Sequence, residues 1–186
     1  MATVNPSKHL TNLDEWRRLG EAGIFAPESR LELIHGEILE MAPIGFNHAG
    51  HLIRLLNYFA PRIADKALLN AQNPLQLGDL SEPEPDFMLL KPSADFYSSR
   101  HPTAADVLLL VEVADSSLYY DQNQKLRLYA LHGIPEYWLL NLNDACLEVY
   151  RQPHGDVYAE KTTLRHGATL NLSQLPDIAV NMADIL

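Results

Sequence analysis

The chain has one cysteine, Cys146, so it can form no intrachain disulfide and no cysteine-rich zinc cage. It has no long apolar run either. Val107 to Val111 is the longest, cut off by Glu112, whereas a bilayer span needs about 20 such residues. No membrane-spanning segment is therefore expected. The amino-terminal stretch from Met1 to Leu10 has no sustained apolar segment of the kind a secretory signal needs, and a cytoplasmic location is the expectation. Positive charge is also scarce. Fourteen Lys and Arg against twenty-four Asp and Glu leave a net charge of -10, which opposes non-specific attraction to a polyanion. The basic residues are scattered singly apart from Arg17-Arg18, and no repeat, low-complexity tract or linker is visible.

What is present is ordinary globular material: 47% hydrophobic residues in 186, enough for a full core in one domain spanning residues 1–186. Asp79, Glu82, Glu84 and Asp86 stand close together with no compensating base. Such a cluster invites a divalent cation, but Asp79, Glu82 and Glu84 read more simply as a solvated loop.

Asn12 caps a short helix carrying Leu13, Trp16 and Leu19 at helical spacing. Leu31–His35 and Glu37–Met41 flank a His35-Gly36 turn and predict a tight hairpin. Asn47 is the candidate cap of a long helix running to about Lys66, with Leu52, Leu56, Phe59 and Ile63 as its buried stripe and Pro61 as a kink. Leu75–Leu77 suggests a short strand. Asp86–Leu90 is a better one, entered through Glu82-Pro83-Glu84-Pro85, where Pro85 favours extended backbone just before Asp86. Lys91–Ala105 is a polar and aromatic connection. Val107–Val113 reads as a strand covered on both faces. A helix from about Asp121 to His132 follows, with Asp121 near its cap and Gly133 as its stop. Strands are expected at Glu136–Asn141, Ala145–Arg151 and Val157–Thr162, and the tail from Leu170 is weakly patterned. Together these elements predict a mixed sheet with helices packed on it.

Glu112 stands out because it lies inside the most apolar strand, where an ionised carboxylate is costly unless it is paired or binds a metal. Asp86 begins the preceding long strand. If the two strands are antiparallel neighbours, start meets end, and both acids reach one edge of the sheet. With a backbone carbonyl such as that of Val113, they would form a hard oxygen set suited to Mg2+ or Mn2+. On spacing alone, strand-end caps or partners for an Arg explain the same acids equally well. Lys125 falls between Leu128 and Tyr129 on a helical wheel, away from Asn123 and Arg127, so its stem lies on a partly apolar face. An amine there could orient a water and stabilise phosphoryl charge, or simply extend to solvent.

Pro85-Asp86, Val111-Glu112-Val113 with Asp115-Ser116-Ser117, Asp121, Lys125, Tyr129 and the run Gly133 to Trp138 resemble a widespread family of restriction-endonuclease-type proteins within the PD-(D/E)XK nuclease superfamily. Leu31 to Met41 and His48 also resemble that family, and the likeness covers about residues 10 to 180. The resemblance implies an α/β (α+β) restriction-endonuclease-like fold, with a mixed central β-sheet flanked by helices and an additional β-hairpin region. It further implies Asp86 and Glu112 as metal ligands, Lys125 as the catalytic lysine, and Glu32 of the opening hairpin as a further metal or water contact, a structural role for Glu32 being equally open. One departure is plain: the superfamily lysine stands two residues after the second acid, and here that position is Ala114.

His48 and His51, at the start of the long helix, could touch a phosphate or cap the first turn; the cap suits His51, and His48 stays open. Without a third ligand nearby, zinc is not expected. Tyr129, Tyr137 and Trp138 read as core residues. No histidine is placed to activate Ser116 or Ser117, which argues against a serine hydrolase. The leading expectation is a divalent-metal-dependent nuclease acting on nucleic acid, DNA by preference. A catalytically silent nuclease-like interaction module is the main alternative. A metal-free glycosidase using the two acids is a third, in which Lys125 has no job. The family resemblance also implies a homodimer, which could gather Arg54, Arg62, Lys91 or Arg100 into a cleft.

Overall fold

The computed structural model describes residues 7–186. The expectation about the amino terminus therefore lies partly outside the described residues. The described residues form two compact units, 7–43 with 76–83, and 44–75 with 84–186.

In the first unit, α1 (Leu13–Glu21) is capped as its sequence suggests. Asn12 accepts from the Glu15 amide at 2.9 Å, and Glu15 accepts from the Asn12 amide at 3.1 Å. Strands β1 (Leu31–Ile34) and β2 (Glu37–Glu40) form the expected hairpin. His35 and Gly36 have φ of 51° and 77°, the two left-handed residues of a tight hairpin turn. Gly36 is required twice over, because a Cβ there would meet Leu10 Cβ at 2.6 Å. Glu82 corrects the solvated-loop reading: it is buried and accepts from Trp16 Nε1 at 3.1 Å and Arg17 Nη2 at 3.0 Å. A charge that the chain alone shows as unpaired is neutralised by a residue 65 positions away.

The second unit is built on a six-stranded sheet in the order β3-β4-β5-β6-β7-β8. The strands are β3 (Leu68–Asn70), β4 (Phe87–Leu90), β5 (Val107–Ala114), β6 (Glu136–Asn141), β7 (Cys146–His154) and β8 (Val157–Leu164). Only β5 and β6 run parallel, and the chain between them forms a helix, as a parallel connection demands. The expected mixed sheet with flanking helices is therefore the observed fold. β3 was not anticipated, because Leu68-Leu69-Asn70 is too short to carry a period. Leu75–Leu77 is not a strand; Leu77 makes one isolated bridge, to Ser81.

Alternation along the strands divides the residues between two faces. Phe87, Leu89, Val111, Val113, Trp138 and Leu140 pack with Leu52, Leu55, Phe59 and Ile63 of α2 (Phe46–Ile63) in one core. Phe59 stacks on Phe87 with ring centroids 5.3 Å apart. The helix starts one residue before the expected cap: Gly45 occupies the cap position and Asn47 lies inside the first turn. Pro61 falls in the last turn, and the helix stops at Ile63 rather than continuing to Lys66. The weakly patterned tail is ordered by this same core. Its hairpin of β9 (Thr169–Asn171) and β10 (Ala179–Asn181) leads into α5 (Met182–Ile185), burying Val180, Met182 and Ile185.

The opposite face carries Glu112 and Tyr137 and is covered by the helix between β5 and β6. That helix consists of α3 (Leu118–Tyr120), a π-helical turn (Asp121–Lys125) and α4 (Leu126–Leu131). It begins three residues before Asp121, which is buried within the π turn rather than near a cap. Ser117 Oγ donates to the Asp121 carboxylate at 2.6 Å. The wider turn changes the phase of the helix at the segment that carries Lys125.

Candidate active site

The register Phe87 to Val111 between β4 and β5 sets Asp86, the residue just before β4, across from Glu112. The Glu112 side chain lies on the face beneath the crossover helix, whereas the Asp86 carboxylate sits at the strand end, bonded to the Val113 amide and to His48 of α2. The Asp86 amide donates to Glu112 Oε2 at 3.3 Å, and the Val113 amide donates to Asp86 Oδ2 at 2.9 Å. Two acids 26 residues apart in the chain thus interlock at one sheet edge. Strand geometry turns a residue's amide and carbonyl to the same side, so the Val113 carbonyl shares the direction of the amide that Asp86 holds.

Lys125 is 2% exposed, and its Nζ donates to Glu112 Oε1 at 3.0 Å. It reaches the acid from the helix rather than from Ala114, the strand position where the superfamily pattern has its lysine. Tyr129, one turn further on, donates its hydroxyl to the same oxygen at 2.5 Å. His48, on the first turn of α2, places Nε2 at 2.9 Å from Asp86 Oδ1. Among the sequence candidates the structure brings together Asp86, Glu112, Val113, Lys125 and His48. Glu32 belongs to the first unit, where it is buried in β1 opposite Leu39. His51 Nδ1 faces the Asn47 carbonyl at 2.9 Å, a local bond within the first turns of α2. Tyr129, whose sequence context suits the core and its rim, also reaches this cluster through its hydroxyl. Its four-residue spacing from Lys125 was the available signal, but that spacing fits a core position equally well.

Burial alone would raise the Asp86 carboxyl. The His48 hydrogen bond and charge, the Val113 amide and the Lys125 ammonium together outweigh it and hold the group below the usual carboxylate range. Tyr137 is pushed well above its ordinary value, by burial first and then by the charges of Asp121 and Glu112, so it stays a neutral phenol.

The donor chemistry fits a hard divalent cation. Among the described residues no group of three or more His, Cys, Asp or Glu is gathered to cage an ion. Two carboxylates and a carbonyl, with the remaining positions left to water and substrate oxygens, are what Mg2+ ordinarily takes from a protein.

No curated protein matches the chain. Among solved structures, a putative nuclease from Anabaena variabilis superposes with a TM-score of 0.72 at 17% identity, over 94% of this chain and 96% of that one. A likeness at that identity establishes the shared fold. No helix among the described residues is long and apolar enough to cross a membrane. A family pattern matches residues 13–183, nearly the whole chain, and the protein accordingly belongs to the Uma2 family, described as putative restriction endonuclease.

Proposed function

We propose that the protein is a divalent-metal-dependent nuclease that hydrolyses phosphodiester bonds, with DNA as the preferred substrate and Mg2+ or Mn2+ as the cofactor. The observation that carries this reading is the meeting of Asp86 and Glu112 at one edge, with Lys125 Nζ 3.0 Å from Glu112. Asp86, Glu112 and the Val113 carbonyl would hold the cation. When bound, it would make a water more acidic and offset charge on the phosphoryl group.

The remaining work falls to side chains. Lys125 holds Glu112 in place, and its ammonium offsets charge that develops on a phosphoryl group nearby. His48 and the Val113 amide fix both oxygens of Asp86. The buried Tyr129 ring keeps the inner side of the site dry and strengthens its electrostatics. Glu32 is proposed as an additional water or metal contact on the family resemblance alone.

Purified protein is expected to cut plasmid or oligonucleotide DNA with Mg2+ or Mn2+. Cleavage should fall to background with Asp86→Ala, Glu112→Ala or Lys125→Ala while folding persists. Equal cleavage by the wild type and all three variants would sink the reading.

The silent interaction module has a specific observation in its favour. The basic residues that a homodimer was expected to gather have local partners. Arg54 donates to the Leu186 carbonyl, Arg62 lies 3.9 Å over the Tyr58 ring, Lys91 donates to the Ala105 carbonyl, and Arg100 pairs with Asp106. With a net charge of -10, few counter-charges remain to meet a duplex. Calorimetry separates the two readings: a nuclease binds Mn2+ and loses that affinity with Asp86→Ala, whereas a module shows none to lose.

A further inference from the structure

Tyr129 is fully buried, and its hydroxyl is aimed at the candidate site rather than at the backbone. Its bond to Glu112 Oε1 at 2.5 Å and the Lys125 bond at 3.0 Å converge on one of the two carboxylate oxygens. The other, Oε2, is thereby turned toward the Asp86 amide at 3.3 Å, the side on which Asp86 lies. The terminal torsion of a glutamate is broad and two-fold, so a carboxylate with a single partner can swing. Two donors arriving at the same oxygen from one helix face remove that freedom.

The hydroxyl is itself held in place. The Tyr129 ring meets Tyr137 edge-on at 5.2 Å, and Tyr137 stacks on Tyr150 at 5.6 Å. Ordinary α-helical geometry resumes after the π turn and sets Lys125 and Tyr129 on one face. A phenylalanine would fill the same ring volume, so packing accounts for the ring but not for the hydroxyl.

We infer that Tyr129 is a positioning residue: it fixes the Glu112 carboxylate so that Oε2 is presented toward the cation, and it acts through Glu112 without touching the substrate. The inference rests on the metal-dependent reading above. Partners of this kind, one shell behind a ligand, typically govern metal affinity by 10- to 100-fold.

The test is Mn2+ binding by the full chain, followed by calorimetry and by the electron paramagnetic resonance of the bound ion, with thermal unfolding in parallel. Tyr129→Phe is expected to weaken Mn2+ binding about tenfold or more and to broaden the bound-ion spectrum, with cleavage recovering at high Mn2+. Tyr137→Phe is the control, since its hydroxyl donates to the Asp121 carbonyl at 3.3 Å and not to Glu112. It should leave the affinity unchanged. Wild-type affinity in Tyr129→Phe, or an equal loss in Tyr137→Phe, overturns the inference while the metal reading stands. Absence of Mn2+ binding by the wild type overturns both. A second measurement does not depend on the phenylalanine variant folding. The 19F resonance of 3-fluorotyrosine at position 129 should shift as Mg2+ is added, and the same probe at 137 should shift much less; a resonance at 129 that does not move refutes the role.

Discussion

Replacing Lys125 with methionine keeps most of the side-chain volume and removes one positive charge from a site where little solvent can compensate. Lys125 and Glu112 are each 3% exposed in their side chains and lie 3.0 Å apart. Breaking such a buried pair from one side costs about 3–5 kcal/mol, because the remaining carboxylate keeps its desolvation penalty. Tyr129 and the Asp86 amide still donate to Glu112, which places the expected loss near the lower end, about 3 kcal/mol. In a chain of this length that corresponds to a fall in Tm of about 6–12 °C. Urea unfolding is the assay, with and without Mg2+. The cation can replace part of the lost charge, so Mg2+ should stabilise Lys125→Met more than the wild type while cleavage stays absent. The double variant Glu112→Gln/Lys125→Met should recover part of the stability, since the Glu112 charge is removed together with the ammonium that paired it. If Lys125→Met unfolds within about 0.5 kcal/mol of the wild type, a range ordinary for surface changes, the pair is not buried as described and the charge argument fails.

Three further outcomes follow from other parts of the molecule. Gly36→Ala should destabilise the first unit by at least about 1–2 kcal/mol from its left-handed backbone alone, before the contact with Leu10 is counted, as read by hydrogen exchange of the β1–β2 amides. Phe59→Ala, at the centre of the α2 face of the sheet, should cost about 3–5 kcal/mol in urea unfolding. The Arg100 guanidinium grips Asp106 through two bonds of 2.7 and 3.0 Å and holds its carboxyl well below the usual range. A depressed carboxylate contributes stability above its unfolded value of about 3.9, and loses it as the pH falls toward the lower folded value. The stability gap between the wild type and Asp106→Asn should therefore be largest near neutral pH and close in acid; a gap that widens below pH 4 would contradict the pairing.

The strong strands, the His35-Gly36 hairpin and the Asn12 cap were legible in the chain because each depends on neighbours a few positions away. Hydrophobic alternation, a left-handed turn and a capping box are local devices. The three acidic and basic site residues were also visible as misfits: a glutamate within Val107–Val113, an aspartate following Pro85, and a lysine on an apolar stripe. Their convergence was not. It required the antiparallel register that sets Asp86 across from Glu112, and the crossover helix that returns over that face with a π turn at Lys125.

Other features were decided by packing alone. Glu82 looked like a solvated acid until Trp16 and Arg17 were folded against it. The tail looked patternless because β9, β10 and α5 are each too short to display a period, and they order only against the core formed by α2 and the sheet. Tyr129 carries the same spacing whether its hydroxyl is idle or bonded to Glu112. The sequence by itself determined which elements form and which residues carry unbalanced chemistry, since propensity, periodicity and charge are read along the chain. Tertiary structure decided which of those charges meet and which donor holds which oxygen, because hydrogen bonds and ion pairs act through distance in space.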